Sequence, residues 1–114
     1  MSWFDEARLG LFVHWGHFAA AGWEASWPLV GGVATLPYCQ RVTVESYHAN
    51  AARFCPDANA PAGWIEAAAA AGMRYAVMTT KHHDGFAMWP TRQSGHSIAL
   101  GGYGGDPVGE FVTA

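Results

Sequence analysis

Charge is scarce in this chain. Only 13% of its 114 residues are Asp, Glu, Lys or Arg, and the formal net charge is −3. No lysine or arginine cluster occurs, so the electrostatic footprint of a nucleic-acid binder is missing. Long apolar runs are missing too. The longest weakly polar stretch, Ala67 to Met73, is far too short to cross a bilayer, and the residues after Met1 do not read as a signal peptide. A cytoplasmic location without membrane attachment is therefore expected. Cysteine is nearly absent as well. Cys39 and Cys55 lack CxxC spacing and close partner histidines, which argues against a zinc site or a disulfide framework and leaves a single bridge open. What the chain has in quantity is apolar surface: 51% of residues are hydrophobic, and 6 are tryptophan. That excludes a disordered polymer and is enough for one small domain.

The stretch around which the rest is organised runs from Arg74 to Trp89, RYAVMTTKHHDGFAMW. Its first part, Tyr75 to Thr79, is a short apolar run following an Ala-rich segment that Gly72 ends. It reads as a buried parallel strand. Lys81, His82, His83, Asp84 and Gly85 come directly after. Burying several such groups unpaired costs several kcal/mol, whereas ligands in α/β folds bind at the carboxyl ends of strands. One histidine at a strand end is more often a satisfied surface residue; this many polar groups in a row point to a site. Strand alternation would put His82 and Asp84 on one side and His83 on the other. One ion held by all three needs a sharp bend, which Gly85 permits, so a metal-dependent hydrolase remains an alternative reading.

Leu9 to His14 repeats the same grammar: an apolar run ends in histidine, then Trp15-Gly16 follows. A short helix over Trp3–Arg8, capped by Ser2, precedes it. Between the two strands a helix is legible, with Asn59 as cap, Pro61 in the first turn, an apolar face of Trp64, Ile65, Ala68 and Ala71, and Gly72 at the C′ position. The long connection from Gly16 to Phe54 holds Trp23, Glu24, Trp27, Pro28, Gly31, Gly32 and Pro37, and reads mostly as loop. A helical passage over Thr43–Ala52 with Thr43 as cap interrupts it. Residues 90–105 read as turns, and Asp106-Pro107 opens another helix. The pattern is α/β, the first steps of a βαβ series without a closed architecture.

Gly10-Leu11-Phe12-Val13-His14-Trp15-Gly16 and Lys81-His82-His83-Asp84-Gly85-Phe86, in that order and spacing, resemble the N-terminal part of the catalytic domain of α-L-fucosidases, glycoside hydrolase family 29. The resemblance runs over nearly the whole chain. It implies a (β/α)8 TIM-like barrel with its site at the C-terminal ends of the strands, and retaining hydrolysis of terminal α-L-fucosides by a carboxylate nucleophile and a carboxylic acid/base. It further implies that His14, His82 and His83 hydrogen-bond sugar hydroxyls and that Trp89 belongs to the same substrate-binding set. Glu24 resembles the family's hydroxyl-binding loop glutamate, although here Ala25 follows it and Trp27 comes later. Phe12 shares a strand face with His14 and would meet the apolar 6-methyl of fucose. No cofactor is implied, and the partner is a fucosylated carbohydrate.

In the family the nucleophile lies on a later strand and the acid/base follows it, so Asp84 is not promoted to either role. A barrel of this kind needs about 250 residues. Residues 1–114 are therefore expected to be an incomplete domain, the first two βα units, inactive alone. A non-catalytic sugar-binding or interaction module reusing the same strand ends is the competing reading from another class.

Overall fold

The computed structural model describes residues 1–30 and 42–114. Gly31, Gly32, Pro37 and Cys39 lie outside the described residues, and with them the question of a bridge to Cys55, which is itself exposed. The first helix, α1 (Trp3–Ala7), starts as its sequence requires: the Ser2 hydroxyl accepts the Asp5 N–H, and the Asp5 carboxylate accepts the Ser2 N–H at 2.9 Å. β1 (Gly10–Val13) follows. It pairs in parallel with β2 (Tyr75–Met78), Gly10 opposite Tyr75 and Val13 opposite Met78.

Both strands were expected to be buried; they are only half-buried. On one face of this two-stranded sheet Leu11 and Val13 line a hollow whose other side is formed by Trp64, Ala67 and Ala68. On the other face Phe12 and Val77, opposite each other in register, are 64% and 42% exposed.

The connection between the strands carries more helix than its glycines and prolines announce. α2 (His17–Ala20) and α3 (Trp27–Val30) are single turns inside the segment read as loop. α4 (Val44–Ala49) then begins where Thr43 caps it, accepting the Ser46 N–H at 3.1 Å, and runs into a 3-10 turn over Asn50–Arg53. α5 (Ala60–Ala70) returns the chain to β2. Asn59 does not cap α5 through its side chain. Its backbone is already helical, and its amide is turned back to Asp57. Ala71, expected on the apolar face, is exposed because the helix has already ended. The ending itself follows the sequence: Gly72 has φ +81°, and the N–H groups of Gly72 and Met73 bond the carbonyls of Ala69 and Ala68, a Schellman closure.

Beyond β2 the chain makes turns, a 3-10 turn over Ile98–Gly101, and α6 (Pro107–Thr113), whose first turn the Asp106 carboxylate caps. Gly101 is there because nothing larger fits: an added Cβ would lie 2.1 Å from the Phe54 carbonyl oxygen. The core sits beyond the carboxyl ends of the strands. One cluster joins Ala51, Phe54, Phe86, Met88 and Ile98; a second joins Phe18, Ala25 and Tyr47. None of the described helices is long and apolar enough to cross a membrane.

Candidate functional site

Two strand ends meet at the site, and one hydroxyl ties them together. Thr79, just after β2, accepts the Trp15 N–H on Oγ1 at 3.0 Å. Its own hydrogen is shared between the carbonyls of Val13 and Trp15, each 3.3 Å away. This tie brings His14, after β1, beside His82, after β2, with ring centroids 4.7 Å apart. His83 is the next ring, 4.8 Å from His82. Phe18 of α2 packs edge-on against both His14 and His82, at 5.7 Å from each.

The opposite wall comes from the connection. Ala25 has φ +52°, a turn rarely taken by a residue with a side chain. It is followed by Ser26, whose Oγ lies 2.5 Å from His82 Nδ1, and by Trp27. Together His14, Ala25, Ser26, Trp27, Val30, His82 and His83 enclose a recess of about 210 Å³. Burial, and then the neighbouring His14 and His83, push the His82 pKa below its ordinary value, partly opposed by Asp84. At neutral pH His82 is uncharged, and with Nδ1 engaged by Ser26 its Nε2 is the nitrogen left for a ligand.

Asp84 is turned the other way. The strand alternation expected at His82–Asp84 does not operate, because β2 ends at Met78 and residues 82–85 form a turn closed by Gly85 N–H to the His82 carbonyl, with Gly85 at φ +78°. Thus His82 and His83 both line the recess, while the Asp84 side chain is 1% exposed. Its Oδ2 accepts the Tyr47 hydroxyl at 2.8 Å and lies 3.3 Å from His17 Nε2, and its Oδ1 accepts the Phe86 N–H at 2.9 Å. Burial would raise this carboxyl's pKa; the bonds from His17, the Phe86 N–H and Tyr47 outweigh it and hold the group at about 2. His82, His83 and Asp84 do not converge. Among the described residues no three His, Cys, Asp or Glu side chains are grouped to hold a metal ion.

Of the residues expected at the site, His14, His82 and His83 are brought together. Phe12 is on the open sheet face, its ring 6.5 Å from that of His14. Glu24 is exposed and does not line the recess. Trp89 is half-buried beside Thr80, Asp106 and Val108, at a separate surface hollow. Sequence reasoning missed Ser26, Trp27 and Phe18 as neighbours of the histidines. It had noticed Trp27 as a loop aromatic, but Ser26 gave no signal.

Similarity to known proteins settles the family. A sequence model described as Alpha-L-fucosidase matches residues 1–114, the whole chain. The chain belongs to the alpha-L-fucosidase family. Tissue alpha-L-fucosidase of Mus musculus is 42% identical to it over a match covering 79% of this chain and 22% of the mouse protein. The Homo sapiens tissue alpha-L-fucosidase is 38% identical, covering 99% of this chain and 26% of the human one. Among solved structures, alpha-L-fucosidase isoenzyme 1 from Paenibacillus thiaminolyticus superposes with a TM-score of 0.77 at 36% identity, over 97% of this chain and 24% of that one. A GH29 alpha-L-fucosidase from Bacteroides thetaiotaomicron, solved as a trapped covalent intermediate, gives 0.74 at 32% identity, over 97% of this chain and 26% of that one. This fucosidase-family chain thus spans about a quarter of the length of the relatives it matches. The resemblance carried by the two strand-end motifs is borne out.

Proposed function

We propose that this chain supplies part of the fucose subsite of a retaining α-L-fucosidase, as the first two βα units of a (β/α)8 barrel. The observation that carries the reading is the convergence of His14, His82 and His83 from two parallel strand ends onto one recess. A neutral imidazole offers one donor and one acceptor, which suits neighbouring sugar hydroxyls. Trp27, 39% exposed at the recess, offers an aromatic face to a sugar's C–H groups. Phe12, on the same open side of β1 as His14, would meet the 6-methyl group, with Glu24 and Trp89 as further substrate contacts. A solved Thermotoga maritima relative holds fucose, and the covalent intermediate trapped in the Bacteroides enzyme is what a retaining mechanism requires.

Retention needs two carboxyl groups roughly 5–5.5 Å apart across the bond that breaks. The recess offers none: Glu24 does not line it, and both oxygens of Asp84 are engaged behind it. In this reading the nucleophile and acid/base come from the part of the family's length outside residues 1–114, and the chain by itself does not turn over fucosides.

The test is a hybrid enzyme in which this chain replaces the matching quarter of the Paenibacillus fucosidase, assayed on 4-nitrophenyl α-L-fucoside. Activity is expected. His14→Ala, His82→Ala and His83→Ala should each lose about 5- to 150-fold in kcat/KM, the equivalent of about 1–3 kcal/mol per lost hydrogen bond. Kinetics unchanged in all three, at unchanged melting temperature, would refute the subsite. Fucose binding without any turnover would favour a purely sugar-binding module.

A further inference from the structure

The carboxylate that ends the Lys-His-His-Asp run has no place in the recess, yet both of its oxygens are engaged. Its bond from the Phe86 N–H is that of an Asx turn, and it fixes the backbone leaving His83. Its other oxygen is held by Tyr47, a residue 37 positions earlier on α4. Tyr47 is 0% exposed, and its ring stacks on Trp23 at 5.4 Å. The Tyr47 hydroxyl also lies 3.4 Å from the carbonyl of Ala25. Ala25 is the residue at positive φ, a conformation that persists only where surrounding structure holds it. Ser26 and Trp27, the wall facing the histidines, come straight after it. One phenol oxygen therefore sits behind both walls: His82–His83 through Asp84, and Ser26–Trp27 through Ala25.

We propose that Tyr47 is a positioning residue, its hydroxyl bracing the two walls of the recess against each other from behind. It touches no substrate. It keeps Ser26 and His82 in bonding register, and so fixes the direction of the His82 nitrogen that is left for ligand. The proposal rests on the reading of the recess as a fucose subsite, and it goes beyond that reading in assigning the spacing of the walls to a residue outside it. A tyrosine that merely filled the core would matter for stability alone.

Tyr47→Phe in the hybrid fucosidase keeps the ring and its stack on Trp23 and removes the brace. The control is Tyr103→Phe, which deletes a hydroxyl bonded to Glu110 at 2.7 Å, beside the other core cluster. Tyr47→Phe is expected to raise KM for 4-nitrophenyl α-L-fucoside and Ki for L-fucose about tenfold or more. Tyr103→Phe should lower the melting temperature to a similar extent and leave both constants within about twofold. Should Tyr47→Phe not fold, Asp84→Ala serves instead: it takes away the acceptor of the phenol's hydrogen and should give the same rise. KM and Ki unchanged, or shifted no more than by Tyr103→Phe, overturn the brace provided the three histidine variants are impaired. If those three are unimpaired, the subsite reading itself has failed.

Discussion

Acid should unfold this chain partly through one carboxyl group. The folded structure holds Asp84 at about 2, against an ordinary value of 3.8. Because the folded value is the lower one, the ionised carboxylate stabilises the fold fully above about pH 4, and that contribution is lost as the pH falls from there towards 2. The gap corresponds to at most about 2 kcal/mol, less where water reaches the group. The assay is urea unfolding followed by tryptophan fluorescence, from pH 7 down to about pH 2, for the chain and for Asp84→Asn. Trp23, stacked on the Tyr47 that bonds Asp84, is a reporter close to the change. At pH 7 the variant should be the less stable, since a neutral amide replaces the carboxylate that accepts from Tyr47 and the Phe86 N–H. The two stability curves should then converge below about pH 4. Asp5 and Glu45, also held below their ordinary range by local hydrogen bonds, are common to both chains and cancel in the difference. A gap that stays constant from pH 7 to about pH 2 would refute the assignment of this acid sensitivity to Asp84.

Three further outcomes are expected. Gly101→Ala should lower stability by about 1–3 kcal/mol, because the new Cβ would meet the Phe54 carbonyl, a backbone atom with little room to retreat; an unchanged urea midpoint would deny the close approach. Phe12→Ala should cost this chain less than about 1 kcal/mol, since the ring is 64% exposed, against about 3–5 for a buried phenylalanine. In the hybrid enzyme the same change should narrow the preference for α-L-fucosides over α-L-galactosides, and an unchanged ratio in a folded variant rules out the methyl contact. Ser26→Ala frees His82 Nδ1 and should lower kcat/KM of the hybrid about fivefold, the equivalent of about 1 kcal/mol; equal kinetics would show that His82 needs no such partner.

Much of the architecture was legible because it is written in local chemistry. Ser2, Thr43 and Asp106 announce helix starts by side chains that reach the backbone two or three residues on. Gly72 announces a stop by tolerating positive φ, and the strands stand out as apolar runs with histidine at or shortly after their ends. What escaped depends on distance or on an unadvertised backbone. Tyr47 and Asp84 are 37 residues apart, and nothing near either one names the other. Ala25 adopts a conformation usually reserved for glycine, so the turn that delivers Ser26 and Trp27 to the recess left no trace in composition. α2 and α3 are four residues each, too short for any periodicity to show. Asn59 looked like a cap, but Asp57 had already engaged its amide.

The Thr79 hydroxyl has a consequence for how such a protein can vary. The backbones beneath His14 and His82 are tied across the sheet by the Trp15 N–H and two carbonyls gathered on one Oγ1, while the connection between the strands reaches the imidazoles at Phe18, at Ser26 and, through Asp84, at Tyr47. Insertions and deletions that leave Phe18, Ser26 and Tyr47 in place can therefore accumulate in that connection without moving the two strand ends relative to each other. Between those anchors the excursion is free to drift in length while the two strand ends keep their gauge. Thr79→Val, nearly the same in shape but without the hydroxyl, would remove that independence and leave the histidine spacing exposed to changes in the crossover.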